Sequence, residues 1–390
     1  MFSSRTAWDR STNRLAALLE GRRNSGDPVL DLTETNPTRV GIAYPEMEIL
    51  SALADPAALS YEPDPRGLPA AREAIARTLL ERGVGVDPGD LLLTASTSEA
   101  YAWIFKLLAD PGDEVMVPRP SYPLFDYLSR LDSVRPVPYP LSPDRSWSLD
   151  LEALAAHTGP AARAVVVVSP NNPTGTYLKR GELRGLASFC REKGMALIGD
   201  EVFAEYPAGP DPERAASVLQ AEGVLTFTLG GLSKLAGLPQ LKLGWIGLGG
   251  PEDLRREARE RLELIGDTYL SVNTPVQQAA PALLELSRSI RREIQARVEA
   301  NRRLLRGRVG PDSPCGALPG EGGWSAVLRV PAVMSEEDWV LSLLERDRVL
   351  VHPGYFFDFP SPAYLVLSLL PREGDFLEGL ERILARLQEL

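Results

Sequence analysis

The stretch Ala164-Val165-Val166-Val167-Val168-Ser169 runs directly into Pro170-Asn171-Asn172-Pro173-Thr174-Gly175, and after a helically spaced segment at 183–193 the chain returns as Met195-Ala196-Leu197-Ile198-Gly199-Asp200. Neither run alternates apolar with polar residues, so neither has a solvent face. Runs of this kind joined by a helix are parallel strands covered on both sides. Working outward, comparable runs lie at 91–94, 114–118, 134–137, 226–229 and 244–248, and amphipathic segments at 69–82, 99–108 and 252–265 fall between them. The alternation predicts an α/β protein on a mainly parallel sheet. From Thr274-Pro275 the spacing is helical almost without interruption to Arg306, with a kink expected at Pro281 and a stop at Gly307. That helix is expected to bridge two domains. Two later runs, 349–352 and 364–369, and an amphipathic segment from Glu373 predict a smaller α+β unit, against which residues 1–45 are expected to pack.

With 390 residues, 44% of them hydrophobic and 24% charged, the chain can bury one large core or two unequal ones. Its formal charge of −11 repels phosphate backbones and anionic lipid, so neither a nucleic acid nor a membrane is an expected partner. The arginines between Arg288 and Arg308 alternate with apolar residues at helical spacing and read as a solvated face. Cys190 and Cys315 cannot make a disulfide framework, and with only His157 and His352 there is no cluster for a structural metal. Arg5, Asp9, Arg10 and Arg14 stand where a signal peptide would be apolar, and no later run is long enough to span a bilayer. A cytoplasmic protein is expected.

Ligands of open α/β sheets bind beyond the carboxyl ends of the strands, and four strands here end in polar sequence. The first runs into Thr94-Ala95-Ser96-Thr97-Ser98 and opens a helix, which reads either as a phosphate site or as a plain N-cap. The second opens into the Pro170–Gly175 turn, which alone is only a loop. The third ends on Asp200, a partly buried carboxylate in need of a cation. The fourth leads to Gly230-Gly231-Leu232-Ser233-Lys234, where a lysine among small uncharged neighbours can lose its proton and act as a nucleophile.

Gly67-Leu68-Pro69-Ala70-Ala71-Arg72-Glu73-Ala74, Asp110-Pro111-Gly112-Asp113-Glu114-Val115, Asn172-Pro173-Thr174-Gly175, Asp200-Glu201-Val202 and Ser233-Lys234 stand in an order and spacing that resembles the class I/II aminotransferases. These are the pyridoxal-phosphate enzymes of the aspartate-aminotransferase fold, and the resemblance covers nearly the whole chain. It implies fold type I: a large cofactor domain (46–285) with a mainly parallel seven-stranded sheet, and a smaller α+β domain formed by both termini (1–45 and 286–390). It further implies a homodimer that moves an amino group between a 2-amino acid and a 2-oxo acid. By the same resemblance, Lys234 holds pyridoxal 5′-phosphate as a Schiff base and carries the substrate's proton, and Asp200 pairs with the pyridine nitrogen. Asn172 donates to the phenolic oxygen, Tyr122 stacks on the ring, and Ser96, Thr97 and Ser98 take the phosphate, with Tyr61 reaching it from the neighbouring subunit. Another enzyme of this fold, a lyase, decarboxylase or synthase, is the alternative, because the coenzyme supplies the carbanion chemistry and the pocket selects the bond. A cofactor-sensing regulatory module would need a DNA-binding domain, for which Met1–Thr33 is too short.

The chain departs from the family's pattern at four places. Lys242 stands where an arginine usually meets the phosphate, giving a point charge without a fork, and Gly231 replaces a common serine. Phe203 replaces a tyrosine that donates to the phenolic oxygen, with Tyr206 as a possible substitute. Val366, in Tyr364-Leu365-Val366-Leu367-Ser368, falls where the family has the arginine that clamps the substrate carboxylate. The segment Thr35-Asn36-Pro37-Thr38-Arg39 matches the family's N-terminal loop over the active site. Thr35 and Arg39 are therefore candidate substrate contacts, Arg39 against a plain surface reading and with Arg66 and Arg372 as competitors.

Overall fold

The computed structural model describes residues 1–389. All seven runs read as strands enter one sheet: β1 (Leu91–Thr94), β2 (Glu114–Arg119), β3 (Arg135–Pro140), β4 (Ala162–Val168), β5 (Ala196–Asp200), β6 (Thr226–Gly231) and β7 (Gly244–Gly249), in the order β1-β7-β6-β5-β4-β2-β3. Only β7 runs against its neighbours. Helices close both faces, and the central strands are buried along their length, which is why their sequences do not alternate.

The strand ends are shaped by local chemistry. Helix α1 (Thr97–Leu108) starts at Ser96, whose hydroxyl accepts the Glu99 N–H at 3.2 Å, while the Glu99 carboxylate turns back to accept the Ala95 N–H at 2.6 Å. A Cβ on Gly244 would lie 3.1 Å from the Ser96 carbonyl carbon, so a glycine in β7 lets the helix start come close. Helix α2 (Leu124–Leu131) packs beside β3, and the 35-residue helix α3 (Thr274–Arg308) runs the length of the molecule.

Two expectations are corrected. Gly307 lies within α3, which continues to Arg308 and closes with the Val309 N–H on the Leu305 carbonyl, just ahead of Gly310-Pro311. It is the proline that forbids continuation. The run at 349–352 is not one strand: Val349–Leu350 pairs in parallel with Leu30–Asp31, whereas His352–Pro353 (β10) joins a second, antiparallel sheet. That sheet also holds β8 (Gly316–Ala317), β9 (Ser325–Arg329) and β11 (Tyr364–Ser368), in the order β10-β11-β9-β8.

The second sheet is pinned by Glu336, at the start of helix α4 (Glu336–Ser342). Its buried carboxylate accepts the Tyr355 and Tyr364 N–H groups, each at 2.6 Å, tying the turn after β10 to the start of β11. Glu336→Gln turns an amide NH₂ on one of these donors and leaves it unsatisfied. We expect a loss of about 1–3 kcal/mol in stability, read as a lower urea midpoint at unchanged m-value.

Candidate active site

The carboxyl ends of β1, β4, β5 and β6 open into a cavity of about 380 Å³. It brings together Ser96, Thr97, Ser98, Tyr122, Asn172, Asp200, Lys234, Lys242 and Thr35. Each arrives by a different route. Asp200 is the last residue of β5; Lys234 rides on the short helix Leu232–Leu235 that follows β6; Asn172 stands on the turn after β4. That turn is tied to the Tyr122 segment by the Asn171 amide, which donates to the Pro120 carbonyl at 3.2 Å.

Asp200 and Lys234 occupy the floor. Burial is the largest influence on each: it raises the Asp200 carboxyl to about 6 and lowers the Lys234 ammonium below its ordinary range. Asp200 accepts the Tyr101 hydroxyl at 3.1 Å and the Val202 N–H at 3.3 Å, yet no cation among the described residues pairs with it directly. The Lys234 amine lies 5.5 Å from the Phe203 ring centroid and 5.2 Å from that of Trp324, an aromatic cage that favours the position without neutralising it.

The polar groups above the floor are oriented. Ser325 donates to Asn172 Oδ1 at 3.1 Å, so the amide presents its NH₂ elsewhere and is fixed as a donor. At the start of α1 the N–H groups of Thr97 and Ser98 have no acceptor among the described residues, leaving an anion-binding end. Lys242 holds a left-handed backbone (φ 54°) at the rim. Tyr122, 49% exposed, covers the mouth.

Tyr206 does not substitute for Phe203. It is fully buried, stacked edge-on against Trp324 at 5.0 Å, and its hydroxyl donates to the Lys234 backbone carbonyl at 2.7 Å. Four sequence candidates stay outside the cavity lining. Arg39 ends a 3₁₀ turn, Pro37–Arg39, held by the Asn36 side chain on the Thr38 N–H, and is exposed. Arg66 pairs with Glu263 at 3.4 Å, and Arg372 lies against Gly41. Tyr61 is 71% exposed on the surface. Conversely, Tyr101, Trp324, Ser325, His352 and Phe357 line the cavity although no motif singled them out. The one usable signal was His352, one of only two histidines, inside an apolar run.

These residues fit an aromatic group bearing a ring cation and a phosphate. The unpaired buried carboxylate supplies the cation's partner, and the glycine-lined approach of β7 to α1 leaves backbone donors for the phosphate. The family model for aminotransferase class I and II matches residues 24–373. A glutamate-pyruvate aminotransferase of Escherichia coli is 28% identical over 368 residues, covering 92% of this chain and 90% of that one. An alanine aminotransferase of Mycobacterium tuberculosis is 29% identical over 384 residues, covering 94% and 87%. Among solved structures, an alanine aminotransferase of Pyrococcus furiosus superposes with a TM-score of 0.89 at 24% identity over the whole of both chains, a likeness of fold.

The raised carboxyl has a measurable signature in the cofactor-free protein. With a folded value of about 6 against an ordinary 3.8, Asp200 binds its proton more tightly in the native state than in the unfolded chain. Its contribution is present below about pH 4 and is lost as the pH rises through 6. Asp200→Asn removes that dependence. The variant should gain on the wild type by on the order of 1–3 kcal/mol between pH 4 and 7, and melting curves of both apoproteins across this range check it.

Proposed function

The chain belongs to the class I and II aminotransferases, and on that premise we propose that it moves an amino group between a 2-amino acid and a 2-oxo acid with pyridoxal 5′-phosphate held on Lys234. The observation that carries this reading is one cavity holding a lysine with a depressed pKa together with a desolvated carboxylate that has no cation paired with it among the described residues. When bound, the cofactor supplies an electron sink that makes the substrate's α-hydrogen acidic.

The chain's own residues then have definite duties. Asp200 keeps the ring nitrogen protonated, and the charge of that nitrogen offsets the carboxylate's burial. The free N–H groups of α1 and the hydroxyls of Ser96, Thr97 and Ser98 take the phosphate, with Lys242 as a point charge at the rim. Asn172, oriented by Ser325, donates to the phenolic oxygen. Phe203 offers no second donor, and the Tyr206 hydroxyl is already spent on Lys234's own backbone. Lys234, its ammonium form disfavoured by burial, would take the proton from the substrate's α-carbon and return it to the carbon on the far side of the shared nitrogen, two atoms away. Tyr122 covers the ring face and limits water.

The active unit we propose is a homodimer. Tyr61 is exposed, as are Met47, Leu50 and Leu59, and apolar side chains of this kind are what a second copy would cover. A cytoplasmic setting accords with two free, buried cysteines. No helix among the described residues is long and apolar enough to cross a membrane.

The loaded protein exposed to a panel of 2-amino acids should lose its carbonyl-form visible absorbance with at least one donor and regain it with a 2-oxo acid; no response to any member rejects the reading. Borohydride reduction should place the pyridoxyl group on Lys234 and not on Lys242 by peptide mass. Lys234→Ala should abolish that label and reduce turnover by at least about 10²–10⁴-fold.

A further inference from the structure

The cavity has no arginine among its described lining residues. A substrate carboxylate entering it meets Lys234, Lys242 and Asp200, which serve the cofactor in the reading above, and otherwise uncharged walls that include Leu124, Phe125 and Leu128 of α2, Phe357 and Val366. An anion stripped of water without a donor is strongly disfavoured. With the charged groups committed, its donor is an uncharged polar residue of the lining.

Register supplies it. β10 and β11 are antiparallel, and His352 is the direct partner of Val366. Directly opposed residues share a face with Cβ atoms about 5 Å apart, so the imidazole occupies the space beside the valine that a long cationic side chain would otherwise fill. His352 lines the cavity with Val366 and Ser368. Its ring is braced by Phe356 and Phe357, at 5.8 and 5.9 Å between centroids. Burial holds the imidazole below its ordinary value, with Asp31 pulling weakly the other way and no hydrogen bond among the influences on it. The ring is thus a neutral donor with an unclaimed N–H, on a strand whose turn is fixed by the Glu336 carboxylate.

Resting on the aminotransferase reading, we propose that His352 receives the substrate's carboxyl group, donating one hydrogen bond from the position beside Val366 where the family's arginine would form two. The site then binds its acid through single uncharged contacts and apolar walls, which favours 2-amino acids with uncharged side chains over dicarboxylic ones.

The test uses the full-length, cofactor-loaded protein, the best donor from the panel, the amine lacking that donor's carboxyl, and the donor's 2-methyl analogue, which has no α-hydrogen to lose. His352→Phe keeps the ring packing and removes the N–H. It should raise KM for the amino acid, and the Kd of the 2-methyl analogue read from the visible spectrum, by about 10–100-fold, with kcat within about threefold. Binding of the amine should be unchanged. His352→Asn, which restores an N–H, should recover most of the affinity. Equal affinities for wild type and His352→Phe overturn the proposal, as does a selective loss in Arg39→Ala instead. A wild type that turns over no 2-amino acid sinks the aminotransferase reading first; one that does, with His352→Phe unaffected, sinks only the role of His352.

Discussion

A carboxylate and an amine share the floor of one cavity, close enough to influence each other yet not joined as an ion pair among the described residues. Each is held there by structure that has no other reason to be so specific. β5 must end at Asp200, and β6 must end in two glycines directly before a single helical turn that carries Lys234. Tyr101 must come from α1 to share the carboxylate, and Tyr206 must reach across to the Lys234 backbone. An uncompensated pair of this kind destabilises the cofactor-free chain. The extensive burial in the strands around it is what lets the fold tolerate that, and a cation bound beside Asp200, the role proposed for the cofactor's ring nitrogen, would relieve it.

Much of this was legible in the sequence because parallel strands buried on both faces leave an unmistakable run of apolar residues. The seven strands follow from such runs, and the long helix from its helical spacing, read to Arg306 and found to end at Arg308. The site residues at strand ends were legible for the same reason: once a strand is placed, the residue after it has nowhere else to go. What the sequence hid depends on pairing between distant segments. Val349 to His352 looks like one strand, but its two halves serve two different sheets. His352, Ser325 and Trp324 reach the cavity only through the antiparallel register of the second sheet, which no local pattern encodes. Arg39 was placed by motif, but the Asn36-held turn leaves it exposed to solvent.

The second sheet also explains why the first cannot be read as the whole site. Its exposed-to-cavity face carries Ser325, Val366, Ser368 and His352, so it orients Asn172 from above while forming the wall nearest the substrate. Glu336 fixes that wall with two backbone contacts rather than with apolar packing. One side of the cavity is therefore built on the mainly parallel sheet and the other on the antiparallel one, and change on the second side need not disturb the first.

The parallel pairing of Leu30–Asp31 with Val349–Leu350 joins residues 319 positions apart. During synthesis at about 5–20 residues per second, the N-terminal segment waits roughly tens of seconds for its partner to leave the ribosome. Leu32, fully buried in the finished molecule against the C-terminal helix, stays uncovered for that time. The parallel sheet, complete by Gly249, can condense long before then. The two termini are thus the last parts of the protein to find each other, and the substrate wall is finished only when the final hundred residues have arrived.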